Sequence, residues 1–220
     1  FVGYAHILRR VTNKRSLQAS DANPLLISLL VGIQRRKKIP TIGRDSYERL
    51  KRQNNCSFRR AVAGFAHSYK GMQFTGYFNE CPARNRMYAE EHKRYYYKLQ
   101  KNDAFNATRL RVADYQALKP RNKLVYCDPP YRSTTGYESG CGEFDSDAFW
   151  DTMRRWSREN IVFVSEYRAP ADFKCVSSSE KYNNLAPDGK PTIRRERLFV
   201  HETLMDAVRP VVRDARRRAR

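Results

Sequence analysis

The segment Leu124-Val125-Tyr126-Cys127-Asp128-Pro129-Pro130-Tyr131 holds the residue types in this chain best suited to chemistry. An apolar run stops abruptly at an acid, two prolines and an aromatic. Proline fixes φ and carries no N–H. The end of the strand therefore presents a carboxylate and unpaired carbonyls beside an aromatic face. An exocyclic amine needs that set: acceptors to hold its hydrogens, no donor competing for its lone pair, and a ring to stack on its base. The bland alternative is a proline-rich turn. Its position directly behind a buried strand favours a site, since ligands of α/β folds gather at the carboxyl ends of strands.

The other reactive side chains form no comparable group. Cys56, Cys81, Cys127, Cys141 and Cys175 are odd in number and contain no C-x-x-C pair. His6, His67, His92 and His201 show no ligand spacing. Neither a metal site nor a disulfide framework is expected, and free thiols suit a reducing cytoplasm. The 220 residues include 43 Lys+Arg against 23 Asp+Glu, a net charge of +20. A charge this large points to a polyanion, above all nucleic acid. No apolar run approaches the roughly 18 residues of a membrane span. The longest candidate, Pro24 to Ile33, is broken by Ser28 and Gly32 and reads as a buried helix. No secretory signal is visible. The chain opens at Phe1 without an initiator Met, which reads as a missing N-terminus.

Positioning elements follow from the pattern. Asp21 or Asn23 caps a helix with Pro24 at its first position. Arg35 to Arg60 holds ten Lys/Arg and little apolar periodicity, so it reads as solvent-facing. Ala61 to Tyr77 interleaves glycines and aromatics and reads as a loop. Arg84 to Lys101 is helical, with Glu90 placed for an i,i+4 pair with Arg94. Its Tyr95-Tyr96-Tyr97 run is read chiefly as packing, with base stacking as the alternative. Leu110–Val112, Lys123–Cys127, Ile161–Ser165 and Leu198–Val200 read as strands, and Phe144–Glu159 as a helix. Strand and helix alternate, so the class is α/β. Residues 206–220 read as a disordered basic tail that adds phosphate affinity.

Asp128-Pro129-Pro130-Tyr131 resembles the D-P-P-Y signature of amino-group DNA methyltransferases, especially the Dam-like adenine-N6 enzymes of phage type. Phe1-Val2-Gly3-Tyr4-Ala5 is similar to their F-x-G-x-G cofactor loop, with Ala5 in place of the second glycine. Ser20-Asp21-Ala22-Asn23-Pro24-Leu25-Leu26 resembles the N-D-x-N-x-x-L element that follows it. Ala113-Asp114-Tyr115 resembles G-D-[FY], and Phe163 to Pro170 a stretch of the smaller members. The family's lysine-bearing cofactor motif and the strand ahead of F-x-G have no counterpart in the sequence.

The resemblance implies a Rossmann-like, S-adenosylmethionine-dependent sheet domain in residues 1–34 and 105–205. An inserted, basic and mostly helical DNA-recognition region would occupy 35–104. Phe1, Gly3, Asp21, Asp114, Tyr115 and Asp128 would bind S-adenosylmethionine, with Asp21 on the ribose and Asp114 near the adenine. Asp128, Pro129, Pro130 and Tyr131 would be catalytic, acting on an adenine flipped out of double-stranded DNA. No metal is implied. A monomer or weak dimer, associated with DNA in a bacterial or phage-infected cytoplasm and belonging to a restriction-modification system, is the expected setting. The rivals are a catalytically dead, basic DNA-binding remnant and an RNA or cytosine-N4 methyltransferase. Protein-glutamine methylation fits the charge less well.

Overall fold

The computed structural model describes residues 2–3, 5–12, 16–78, 88–130, 144–183 and 192–218. The chain divides into two compact units, Phe1–Tyr115 and Gln116–Arg220. Mixed α/β structure is present throughout, as expected.

The first unit is organised around α1 (Pro24–Gln34). Asn23 caps it, its side-chain oxygen accepting from Leu25 N–H at 3.0 Å and Leu26 N–H at 3.2 Å, with Pro24 at the first position. The helix is apolar nearly all round, which suits an element enclosed by its neighbours. Leu25, Leu29, Leu30 and Ile33 are buried against Tyr47, Leu50, Val62, Phe65, Tyr96, Leu99 and Phe105. Those residues come from α2 (Arg44–Arg52), α3 (Phe58–Ala66), α4 (Tyr88–Gln100) and α5 (Asp103–Ala107). Beside them, β1 (Gln18–Asp21) and β2 (Arg109–Val112) pair in parallel, Asp21 opposite Val112.

Three expectations for this unit are corrected. The basic run is not merely solvent-facing: Ile39, Ile42, Tyr47 and Leu50 are core residues, and helix α2 keeps its cations outside. Ala61 to Ala66 belongs to α3, started by the Ser57 side chain accepting from Arg60 N–H at 3.3 Å. Gly64 suits the helix there because the Phe74 ring packs close over it, 3.0 Å from where a Cβ would stand. Glu90 pairs with Lys93 at 3.5 Å, while Arg94 Nε donates to the Glu90 carbonyl. Of the tyrosine run, Tyr96 is fully buried and Tyr97 is 38% exposed.

The second unit is a four-stranded sheet in the order β3-β4-β6-β5. β3 (Leu124–Cys127) and β4 (Ile161–Glu166) are parallel; β6 (Thr192–His201) and β5 (Phe173–Asn183) complete it antiparallel. Val176 is an extra residue in β5: Cys175 faces Phe199 and Ser177 faces Leu198. Helix α6 (Ser146–Ser157) is capped by Asp145, whose carboxylate accepts from Asp147 and Ala148 N–H. It buries Phe149, Trp150, Met153 and Trp156. Arg154 on α6 grips Asp172 with both Nε and Nη2, at 2.6 and 3.0 Å. The expected disordered tail is instead α7 (Met205–Arg218) through its last described turn. Val208 and Val212 give the helix an apolar face that packs on Val176 and Val200, and that burial holds it.

Candidate functional site

In the first unit, three of the segments singled out in the sequence converge at the carboxyl ends of β1 and β2. Asp21 closes β1. Its Oδ2 accepts from Val2 N–H at 3.1 Å and its Oδ1 from Asn23 N–H at 2.9 Å. The Asp21 carbonyl accepts from Ala113 N–H at 3.0 Å, which brings Asp114 beside it on the neighbouring strand. Asp21 is half-buried and Asp114 exposed. Tyr115 begins a short 3-10 turn, Tyr115–Ala117. The amino-terminal loop is thus tied to the acid that the sequence pairs with it.

That loop turns through left-handed backbone, with Gly3 at φ 50° and Ala5 at φ 59°. An L-residue in this region carries a steric cost that glycine lacks. Ala5 stands where the resemblance has glycine, and its side chain is buried in the core cluster. Phe1 and Tyr4 lie outside the described residues. Gln73, which nothing in the sequence distinguishes, fixes the other side of the helix cap: its Oε1 accepts from Asn23 Nδ2 at 2.7 Å.

In the second unit, β3 ends as its sequence predicts. Leu124 to Cys127 pair with Ile161 to Val164, and Asp128-Pro129-Pro130 leaves the sheet. Asp128 is exposed, Pro129 buried and Pro130 half-buried; Tyr131 lies outside the described residues. Burial, with a smaller contribution from the Asp128 charge, pushes the Cys127 thiol up to about 12. Burial, again with the Asp128 charge, pushes the Tyr126 phenol up to about 12 against a hydrogen bond with Ser165. The Tyr126 and Cys127 side chains that precede Asp128 are therefore neutral at physiological pH. Ser165 Oγ also donates to Glu196 Oε1 at 2.8 Å, and the buried Glu166 accepts from Tyr167 N–H.

The basic segment of the first unit sorts into committed and exposed cations. Arg60 is spent on the fold: Nε donates to Leu50 O and Nη1 to Asn55 O, both at 2.9 Å, with its guanidinium over Phe74. Arg44 lies over the Tyr77 ring and Lys37 over the Phe58 ring. Arg35, Arg36, Lys38, Arg49, Lys51, Arg52 and Arg59 are exposed, and no ion pair joins them to a carboxylate among the described residues. Tyr47 locks the following loop over this segment, its buried hydroxyl bonded to Ser68 Oγ at 3.0 Å and to Gly76 N–H at 3.2 Å. Desolvation raises the Tyr47 phenol above its ordinary value. Among the described residues no group of His, Cys, Asp and Glu is arranged to hold a metal ion, and no helix is long and apolar enough to cross a membrane.

A strand that ends in acid and prolines, a second acid-tipped parallel pair and an exposed basic surface suit transfer chemistry on a nucleic acid. Residues 47–186 match the family described as D12 class N6 adenine-specific DNA methyltransferase. More than half the chain is covered, and the protein belongs to that family. Its reaction is methylation of adenine N6, and its substrate is DNA. Asp114 and Asp128-Pro129-Pro130-Tyr131 fall inside the matched residues, whereas Phe1–Ala5 and Asp21 precede them. No curated protein matches the chain.

Proposed function

We propose that the methyl donor is S-adenosylmethionine and that the chain's residues divide the work between its two units. The observation that carries the reading is the Asp128-Pro129-Pro130 strand end in the second unit, an exposed carboxylate followed by two residues without N–H. The donor set of the first unit fits the cofactor. A carboxylate offers about four acceptor positions, and Asp21 uses two on backbone N–H groups; ribose hydroxyls are suitable donors for the rest. Asp114, just past the end of the adjacent strand, is assigned to the adenine moiety, with Gly3 and Tyr115 completing the binding residues alongside Phe1. When bound, the cofactor supplies an electrophilic sulfonium methyl. Residues 1–34 and 105–205 are assigned to a Rossmann-like sheet domain on the family resemblance.

Asp128 and the Pro129 carbonyl accept the two N6 hydrogens of the target adenine. The amine's lone pair is kept out of conjugation and away from competing donors, which raises its nucleophilicity. Pro130 fixes the turn, and Tyr131 stacks on the base. Reaching N6 in this way requires the nucleotide to leave the duplex stack. Rate enhancement comes from positioning and from the fixed negative charge at the strand end, without a covalent enzyme intermediate. Residues 35–104 form the recognition region, with Arg35, Arg36, Lys38, Arg49, Lys51, Arg52 and Arg59 as its DNA-facing cations.

The test is transfer of labelled methyl from S-adenosylmethionine to adenine in duplex DNA. Asp128→Ala is expected to abolish incorporation while DNA binding stays within a few-fold, because phosphate contacts dominate affinity. Incorporation at the wild-type rate would refute the assignment. A wild-type chain that binds DNA but not S-adenosylmethionine would instead be an inactive remnant.

A further inference from the structure

Helix α7 has one face that the fold uses and one that it does not. Leu204, Met205, Val208 and Val212 lie against Val176, Val200, Phe163 and Leu198, and Val208 is 2% exposed. At about 100° per residue, Val208 marks the direction of the sheet. Arg209, Arg213 and Arg217 then sit at about 100°, 140° and 180° from it. They form a row with one arginine per turn, swinging to the outer side of the helix, and all three are exposed. The row is about 12 Å long at 1.5 Å per residue.

Two carboxylates belong to the same helix. Asp206 Oδ1 lies 3.9 Å from Arg209 Nη1, with the two side chains 99% and 69% exposed. A pair that open to water neutralises little. Asp214 is exposed as well, at i,i+3 from Arg217 and about 60° round the helix from it. Like charges spaced i,i+4 disfavour a helix. The burial of Val208 and Val212 offsets that cost, so the fold presents a fixed row of cations that the helix itself would not favour.

Of the polyanions that could meet such a row, an anionic bilayer is a poor fit. Interfacial helices insert their apolar face into lipid, and here that face is already covered by the sheet. Phosphates of one DNA strand advance about 3.4 Å along the axis, so 12 Å of arginines runs alongside three or four of them. We propose that the outer face of α7 is a sequence-independent contact for the phosphate backbone of duplex DNA, separate in sequence from the basic surface of residues 35–59. The proposal rests on DNA as the substrate and extends it: the row grips the duplex without reading bases, whichever site is methylated.

The experiment compares the full chain with R209Q/R213Q/R217Q on random-sequence and adenine-target duplexes over a salt series, by fluorescence anisotropy. Each phosphate contact contributes about 0.9 to the slope of log K against log salt. The triple variant is expected to flatten the slope by roughly 2–3 and to weaken all duplexes by the same factor. The matching R209K/R213K/R217K variant is expected to keep the wild-type slope, and an unchanged melting curve shows that α7 still folds. An unchanged slope in the glutamine variant overturns the proposal, as does a loss confined to one duplex. A normal slope with lost binding to polyglutamate overturns it in favour of an acidic protein partner. Methyl incorporation by the wild-type chain is read separately, so failure of the enzymatic reading leaves the slope result standing on its own.

Discussion

Replacing Asp21 separates two duties that the structure and the proposed cofactor site assign to one carboxylate. Its oxygens hold the Val2 and Asn23 N–H groups at 3.1 and 2.9 Å. Asparagine keeps one acceptor, which can face Asn23, and turns an amide NH2 toward the Val2 donor. One hydrogen bond to a charged group is then lost, worth about 1.5–3 kcal/mol. The site is only half-buried, so water recovers part of it and about 1.5 kcal/mol is expected. Alanine forfeits both bonds, about 3 kcal/mol. In a chain of this size 1 kcal/mol moves Tm by about 2–4 °C. Asp21→Asn should therefore melt about 3–6 °C lower and Asp21→Ala about 6–12 °C lower. The assay is thermal unfolding without ligand, followed by calorimetric titration with S-adenosylmethionine at a temperature where both variants are folded. Loss of a charged hydrogen bond to the ribose predicts at least about tenfold weaker binding. A wild-type Tm for the alanine variant would refute the anchoring of the amino-terminal loop. Wild-type affinity in a folded alanine variant would remove Asp21 from the cofactor site.

Gly32→Ala should cost about 1–3 kcal/mol by overpacking, because its Cβ would stand 2.0 Å from the Phe58 ring; urea unfolding measures it, and a neutral result would mean that Phe58 is not seated on α1. In native thiol titration, Cys56 and Cys175 should react well before the buried Cys127, and mass mapping of the first labelled sites decides it. Hydrogen bonding from Arg154 holds the Asp172 carboxyl below its ordinary 3.8. A carboxyl depressed in the folded state stabilises above its unfolded value, and the contribution fades as pH falls through the folded one. Arg154→Gln should thus cost about 1 kcal/mol at pH 7, with the gap to wild type narrowing as pH falls below about 4 and Asp172 takes up its proton; a gap that does not narrow with falling pH would contradict the ion pair as its source.

The sequence made legible those elements whose signals are local. Asn23-Pro24 announced the start of α1, and an apolar run ending in acid and prolines announced β3 and its exposed carboxylate. Where tertiary packing decided the outcome, local pattern misled. Gly64 suggested a loop, yet Phe74 fills the space that its missing side chain leaves. The cations of residues 35–60 masked Ile39, Ile42, Tyr47 and Leu50, since a two-residue apolar stripe on α2 is easily overlooked among seven polar neighbours. Strand β5 contains Ser177-Ser178-Ser179-Glu180-Lys181 and no hydrophobic alternation there; pairing with β6 makes it a strand. The tail was read by its arginines, when Val208 and Val212 one turn apart determine its structure. At the site, Asp128 was visible as an acid at a strand end, whereas Asp21 and Asp114 were visible only through the family resemblance, since β1 carries no strand signal of its own. Gln73 and the backbone donors of Val2 and Ala113 were not, because a hydrogen bond from the main chain leaves no mark on residue type.

The extra residue in β5 bears on how this protein behaves in concentrated solution. β5 is the outermost strand of its sheet, and 11 residues of regular edge would be a template for a second copy to add a strand. With Val176 turned inward to the core, the outward N–H and C=O groups fall out of step between Cys175 and Ser177. An incoming strand can keep register on one side of that point and not the other. Beyond it, three serines and Glu180 offer nothing apolar to bury. A bulge that lets a valine reach α7 thereby also guards the open edge of the sheet against self-association.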